Sequence, residues 1–81
     1  MADEKLIELI KVDPKIMHGQ ACVRGTRIPV SVVLDCLAAG MSEDEVLDDY
    51  PTLSREGIRA CMAYGSLLAR EEVLPIGLIA K

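Results

Sequence analysis

The sequence predicts a mainly α-helical fold, in which three helices follow a short N-terminal β-hairpin or arm. Residues that start and stop helices punctuate the chain between positions 29 and 54, and apolar residues recur there at helical spacing. Nearer the N-terminus, β-branched residues are mixed with alternating charges, which favours strands. At 81 residues the chain is one domain, residues 1–81, and a monomer of this size has difficulty burying a core.

The N-terminal region, residues 6–23, is predicted to be the β element. Leu6–Val12 is the first predicted strand, and Pro14 ends it. A turn signal at residues 18–20 precedes Ala21–Val23, a short second strand. Because a lone two-stranded ribbon is marginal in water, this element needs a helix or another subunit to lie on.

The first helix is predicted from about Val30 to Ala39. Pro29 suits the start of a helix, where its missing N–H costs nothing, and Gly40 suits the residue after a helix end. Apolar side chains fall on one face at helical spacing: Val30, Val33, Leu34, Leu37 and Ala38.

The second helix is predicted to begin after Ser42 and to stop near Asp49. Ser42 and Glu45 have the spacing of a capping box, in which each side chain accepts a hydrogen bond from the backbone of the other residue. Pro51 forces the stop, because the residue before a proline is biased away from the helical conformation.

The third helix is predicted to start at Thr52 or Ser54 and to run to about Arg70, which makes residues 30–70 a three-helix core. Its predicted inward face comprises Ile58, Cys61, Met62, Gly65, Leu68 and Ala69. Residues 71–81 form a C-terminal tail, whose apolar part, Val73–Ile76, can add a strand or clasp a partner.

Charge is distributed unevenly along the chain. The formal net charge is −4, and residues 35–50 contain six acids and no base. Residues 20–34 contain Arg24 and Arg27 as their only charged side chains. An acidic total argues against strong non-specific nucleic-acid binding, which depends on neutralising phosphates, but it leaves room for a local basic face.

One face of the third helix is a candidate DNA-binding surface. The second and third helices have the order of a helix-turn-helix unit, whose second helix can lie in the major groove. Arginine can contact guanine edges or phosphates. The candidate residues, which share one face, are Arg55, Arg59, Ser66 and Arg70. The alternative is a solvated surface with ordinary arginines, since Glu56 and the acidic helix before it repel phosphate.

The turn that contains Arg24, Thr26 and Arg27 is a second candidate site, for a partner or a phosphate. Gly25 permits a tight backbone there, but the turn lacks the pattern of a nucleotide-binding loop. The alternative is structural: Thr26 bonds the backbone, and an arginine pairs with the acidic helix at residues 43–49.

The sequence shows no catalytic constellation, so we expect a protein that is not an enzyme and that holds no cofactor or metal. His18 is the only histidine, and the three cysteines are expected to be small buried thiols: Cys22, Cys36 and Cys61. No apolar run is long enough to cross a bilayer and no secretory pattern opens the chain, so a cytoplasmic protein without a membrane association is expected.

Two segments, G-T-R-I-P-V at Gly25–Val30 and Y-P-T-L at Tyr50–Leu53, carry a family resemblance. Over residues 6–74 the chain resembles a large family of small bacterial and archaeal proteins, catalogued as a domain of unknown function and regarded as antitoxin-like. Members look like homeodomain-like or winged-helix-type three-helix folds with an N-terminal β element. They are similar to VapB-type antitoxins, which often accompany a PIN-like ribonuclease toxin encoded nearby.

The resemblance implies an antitoxin of a type II toxin–antitoxin system, which binds its own operator DNA and neutralises a PIN-like toxin. We also expect a homodimer, because a small chain with 51% hydrophobic residues and only two aromatics often completes its core by pairing. The alternative is a protein-interaction module without DNA affinity, or a structural homodimer of unknown function.

Overall fold

The computed structural model describes residues 4–15 and 19–71. Within them the elements, in chain order, are helix α1 (Glu4–Ile7), strands β1 (Ile10–Val12) and β2 (Ala21–Val23), and helices α2 (Val30–Ala38), α3 (Glu43–Asp49) and α4 (Arg55–Glu71). The two strands form one antiparallel sheet. The mainly helical class with a small N-terminal β element is therefore confirmed, and helices α2 to α4 are the three that the sequence predicts.

The prediction of one strand over Leu6–Val12 is wrong in its first half, where the chain forms the helical turn α1. The amide of Leu9 donates to the carbonyl of Leu6 at 3.0 Å, which closes the turn. Both leucines pack against the core. Residues three apart point to opposite faces of a strand but to the same face of a helix, so the helical turn lets both side chains reach the core.

The hairpin is confirmed over the shorter strands. Ile10 pairs with Val23 and Lys11 pairs with Cys22 in the antiparallel register, and the amide of Arg24 extends the ladder to Leu9 with a 2.6 Å hydrogen bond. Ile10 and Val23 are buried. The hairpin packs against α4, with β2 also contacting α2, which meets the need of a two-stranded ribbon for a supporting helix.

Helix α2 begins and ends with the local chemistry that the sequence predicts. Pro29 is the cap residue in an extended conformation, and it also forms a bridge to Cys22 of the hairpin. At the other end Gly40 adopts a φ of 98°. Its amide donates to Leu37, and that of Met41 donates to Cys36, which together satisfy carbonyls of the last turn.

Helices α3 and α4 both begin at serine caps. The Ser42 hydroxyl accepts from the amide of Glu45 at 3.1 Å, and the Glu45 carboxylate accepts from the amide of Ser42 at 2.8 Å, so the capping box is confirmed. The Ser54 hydroxyl accepts from the amide of Gly57 at 2.9 Å. Ser54 rather than Thr52 is thus the residue that caps α4.

The core lies where the hairpin, α2 and α3 meet one side of α4. Its buried residues are Ile10, Cys22, Val23, Val30, Val33, Val46, Leu53, Ile58, Ala60 and Cys61. The predicted inward face of α4 needs a correction, because Met62 is 42% exposed and Leu68 is 44% exposed. Gly57 lies so close to Val23 that an added Cβ would sit 3.2 Å from its Cγ1. Ala69, the last residue of the predicted inward face, is exposed as well.

Candidate functional site

The outward face of α4 gathers every residue that the sequence predicts as a DNA contact. Arg55, Arg59, Ser66 and Arg70 are all exposed, and Met62 lies among them. The helix has 17 residues, which corresponds to a length of about 25 Å. The face is therefore one long exposed strip with arginines near both ends, and we call these five residues the α4 face.

Arg55 is held by the helix that precedes it. One of its terminal nitrogens, Nη1, lies 3.1 Å from the Glu43 carboxylate, and the other, Nη2, is paired with Asp44. Hydrogen bonds to Asp44 and then to Glu43 raise the pKa of Arg55 above its ordinary value. The guanidinium thus braces α3 against the start of α4, and its charge is shared with two acids.

Arg59 and Arg70 carry the positive charge that remains on the α4 face. Over residues 4–15 and 19–71, the ion pairs within 4.0 Å are both made by Arg55. Arg59 follows Arg55 by one helical turn, and Arg70 lies in the last turn. The structural alternative for the Gly-Thr-Arg turn is wrong in one half, because within the described residues neither Arg24 nor Arg27 forms an ion pair with α3.

Helix α3 presents a negative surface beside the start of α4. Glu45 is engaged in the capping box, while Asp48 and Asp49 are exposed. Glu56 is exposed in the first turn of α4 as well. A polyanion that lies along α4 therefore meets less repulsion over residues 57–70, which contain no acid, than at the start of the helix.

Within the Gly-Thr-Arg turn, the side chains of Arg24 and Thr26 are occupied by the fold itself. Arg24 Nε donates to the carbonyl of Glu8 at 2.8 Å. The Thr26 hydroxyl donates to the carbonyl of Val23 at 2.8 Å and accepts from the amide of Ile28 at 3.0 Å. The Arg24 and Thr26 side chains therefore stabilise the turn, whereas within the described residues the Arg27 side chain makes no such hydrogen bond.

Arg27 lines a polar cleft between the hairpin and this turn. The cleft has a volume of about 340 Å³, and it is lined by Lys11, Asp13, Gln20, Cys22, Gly25, Thr26 and Arg27. Sequence reasoning missed Lys11 and Gln20, because they lie nine residues apart in the chain and the strand pairing brings them together. The available signal in the sequence was the charged Lys11 between the apolar Ile10 and Val12, which places Lys11 on the opposite side of the strand from Ile10.

A second, apolar groove lies between α2 and the C-terminal half of α4. Its volume is about 310 Å³, and its lining includes Leu34, Tyr64 and Leu68. Gly65 forms part of this wall, and an added Cβ there would lie 3.2 Å from the Leu34 Cδ1. The sequence pattern assigned Leu68 to the core, whereas it lies beyond the core at the edge of this groove.

The remaining candidate residues are the cysteines and the potential metal ligands. Burial raises the pKa of the Cys61 thiol to about 11, so this thiol is protonated and unreactive at neutral pH. Cys22 is also buried, and Cys36 is half-buried. In the same residues, no group of three or more His, Cys, Asp or Glu side chains is placed to hold a metal ion. His18 and the Val73–Ile76 tail lie outside the described residues.

None of the helices within residues 4–15 and 19–71 combines the length and the apolar character that crossing a membrane requires.

These features define a small, mainly helical domain with a two-stranded sheet, an arginine-bearing exposed helix and a polar cleft. The chain belongs to the family described as "Protein of unknown function (DUF433)", whose model matches residues 10–65. The resemblance to a domain-of-unknown-function family is thereby confirmed, and its link to VapB-type antitoxins stays a prediction.

Two relatives fit this assignment. The chain is 40% identical over 57 residues to the uncharacterized protein y4eO of Sinorhizobium fredii (strain NBRC 101917 / NGR234), a match that covers 70% of this chain and 26% of that protein. The chain thus spans about a quarter of the length of this curated relative. It is also similar to the crystal structure of a DUF433 member from Anabaena variabilis ATCC 29413, with a TM-score of 0.71 and 28% identity, covering 85% of this chain and 79% of the other.

Proposed function

We propose that this protein is an antitoxin-like DNA-binding protein, in which α3 and α4 act as a helix-turn-helix unit and the α4 face lies against DNA. The observation that carries the proposal is the exposed strip of arginines along α4. A long helix whose arginines lie one turn and several turns apart on the same face can bring guanidinium groups to phosphates and to base edges in a major groove.

The contacts of Arg55 divide the roles along this face. Arg59 and Arg70 would carry the DNA contacts, and Ser66 between them can donate a hydroxyl hydrogen bond to a phosphate. Arg55 would contribute less, because a phosphate has to compete with Asp44 and Glu43 for its guanidinium. Its main role in the proposal is to hold α4 at a fixed angle to α3.

The rest of the proposal is a homodimer that represses its own operon and neutralises a PIN-like ribonuclease toxin. Its support is the family resemblance, together with Leu68, which is exposed beside the apolar groove of α2 and α4. An exposed apolar surface on a small domain is the kind of surface that a partner covers.

The test is DNA binding measured by fluorescence anisotropy, with duplexes from the region upstream of the protein's own coding sequence. We expect Arg59→Ala and Arg70→Ala each to weaken binding by about tenfold, as for the loss of one charge-assisted contact. Arg55→Ala should weaken it less. Lys15→Ala, which removes an exposed cation from the hairpin region, is the matched control and should bind like the unchanged protein.

Equal affinity in all four variants would remove α4 from the contact surface. No binding at low salt by the unchanged protein would refute the DNA-binding proposal as a whole.

A second candidate function is a protein-interaction module without DNA affinity. It is favoured by the five acidic side chains of α3, which repel phosphate, and by the apolar groove at Leu34, Tyr64 and Leu68. This alternative predicts no anisotropy change with DNA at modest salt but co-purification with the product of the neighbouring gene. Leu68→Glu should then abolish the co-purification, while Arg59→Ala should leave it intact.

A further inference from the structure

We infer that the polar cleft beside the Gly-Thr-Arg turn is a binding site for a small phosphorylated molecule. This inference is independent of DNA binding by α4. The cleft is formed by the hairpin on one side and the turn on the other, and two cationic side chains, Lys11 and Arg27, line it together.

The charges of the cleft favour an anion. Lys11 and Arg27 face one carboxylate, that of Asp13, whose Oδ1 already accepts a 2.9 Å hydrogen bond from the amide of Lys15. Within residues 4–15 and 19–71, neither cation forms an ion pair within 4.0 Å. In a chain of net charge −4, two cations that share a cleft without such a pair leave donors for an external anion.

The walls of the cleft are fixed before a ligand arrives. Gly25 adopts a φ of 83°, which lets the turn close tightly. The Thr26 hydroxyl donates to Val23 of the hairpin and accepts from the amide of Ile28, which follows the turn. Cys22, which lines the cleft, forms a bridge to Pro29. Binding therefore costs little conformational entropy in the backbone, and the entropy that is lost comes mainly from ordering the Lys11 and Arg27 side chains.

The size of the cleft limits the ligand. A volume of about 340 Å³ lies at the small end of the range for ligand pockets, roughly 300–1,000 Å³. This volume suits a phosphoryl group with one attached polar unit, such as the sugar of a mononucleotide. The Gln20 amide and the Asp13 carboxylate offer a donor and two acceptors for hydroxyl groups on that unit.

The experiment is a titration of the full chain with inorganic phosphate, ribose 5-phosphate and adenosine monophosphate, followed by amide chemical shifts and by calorimetry. We expect saturable shifts centred on residues 11–13, 20 and 25–27, with the sugar phosphates binding more tightly than phosphate alone. A phosphorylated oligonucleotide in a parallel titration distinguishes a free metabolite from a nucleic-acid end. Acetate tests whether any carboxylate serves as well.

Variants test whether binding depends on the two cations that line the cleft. Lys11→Gln and Arg27→Gln should each lower the affinity about tenfold, and Arg27→Lys should restore part of it, because it keeps the charge but loses the two-pronged donor. Lys15→Gln removes a neighbouring cation that does not line the cleft and should bind normally. Circular dichroism checks that each variant is folded.

Shifts that fail to saturate, or an equal loss of affinity in Lys15→Gln and Arg27→Gln, would overturn the inference, because either result shows general charge attraction. Binding that survives in Lys11→Gln and Arg27→Gln overturns it too. Loss of DNA binding in Arg59→Ala with unchanged phosphate binding separates this site from the α4 face.

Discussion

At the scale of single residues, two glycines differ in whether their backbone conformation tolerates a side chain. Gly40 adopts a φ of 98°, so a Cβ there is strained even though nothing lies within 4 Å of it. Gly65 lies inside α4 with ordinary helical geometry, and its added Cβ would meet only the end of the flexible Leu34 side chain at 3.2 Å. The same substitution by alanine should therefore change the stability in opposite directions.

We expect Gly40→Ala to lower the free energy of unfolding by about 1 kcal/mol, the cost of a left-handed conformation for a residue with a Cβ. Gly65→Ala should raise it by about 0.5–1 kcal/mol, because alanine is the better helix former and Leu34, which lines a groove, has space into which its side chain can move. Urea denaturation with unchanged slopes measures both effects. Destabilisation by Gly65→Ala would show that Leu34 cannot yield.

The Cys61 thiol gives a residue-scale prediction about pH. Burial raises its pKa from 9.0 to about 11, so the folded state holds this proton more tightly than the unfolded chain does. Its contribution to the stability is complete below about pH 9 and is lost as the pH rises through 11. The loss should be at most about 3 kcal/mol, and Cys61→Ala should lack it. Unfolding free energies of both proteins at low and high pH measure the difference, and parallel pH profiles would contradict the assignment.

At the scale of elements, α3 depends on its cap. It has seven residues, and a helix of that length is marginal in water without packing or capping. Ser42→Ala removes the acceptor for the Glu45 amide and should lower the free energy of unfolding by about 1 kcal/mol. Ser66→Ala, at an exposed position inside α4, is the matched control and should cause no loss. Equal effects of the two changes would mean that the capping box contributes nothing measurable.

Elements whose ends depend on neighbouring residues could be predicted from the sequence. Pro29, Gly40, Ser42 and Ser54 specify their helix ends through backbone conformation and local hydrogen bonds, and the structure has each boundary within a residue or two. Helix α1 could not be predicted in this way, because its conformation is decided by contacts with α4, far away in the chain.

In the candidate site too, features set by local sequence could be predicted, and features set by tertiary contacts could not. The spacing of arginines on α4 was predictable, because helical periodicity places them on one side whatever the helix packs against. The pairing of Arg55 with Glu43 and Asp44 depends on the angle between two helices, which the sequence pattern does not specify. The cleft of Lys11 and Arg27 depends on the strand register and on the path of the turn together.

At the scale of the whole molecule, the aliphatic composition leads to a prediction about assembly. The chain has two tyrosines as its only aromatics, and outside the α4 face it leaves large apolar side chains exposed at Val12 and Leu68. We expect a homodimer by light scattering coupled to size exclusion, and we expect Leu68→Glu to shift it towards the monomer. Thr52→Glu, an exposed change in the loop before α4, is the control. A monomer at high concentration would contradict the expectation.

The salt dependence of DNA binding reports both the number of copies bound and the arginines that contact phosphates. The logarithm of the affinity falls with the logarithm of the salt concentration by about 0.9 for each phosphate neutralised. If Arg59 and Arg70 of two copies make the contacts, the slope should be about −4, and a single copy should give about −2. Arg59→Ala should reduce the slope of a dimer by about two, because it removes one contact from each copy. If Arg59→Ala leaves the salt slope unchanged, Arg59 neutralises no phosphate, and the DNA contacts lie on other residues, because each neutralised phosphate adds about 0.9 to the slope.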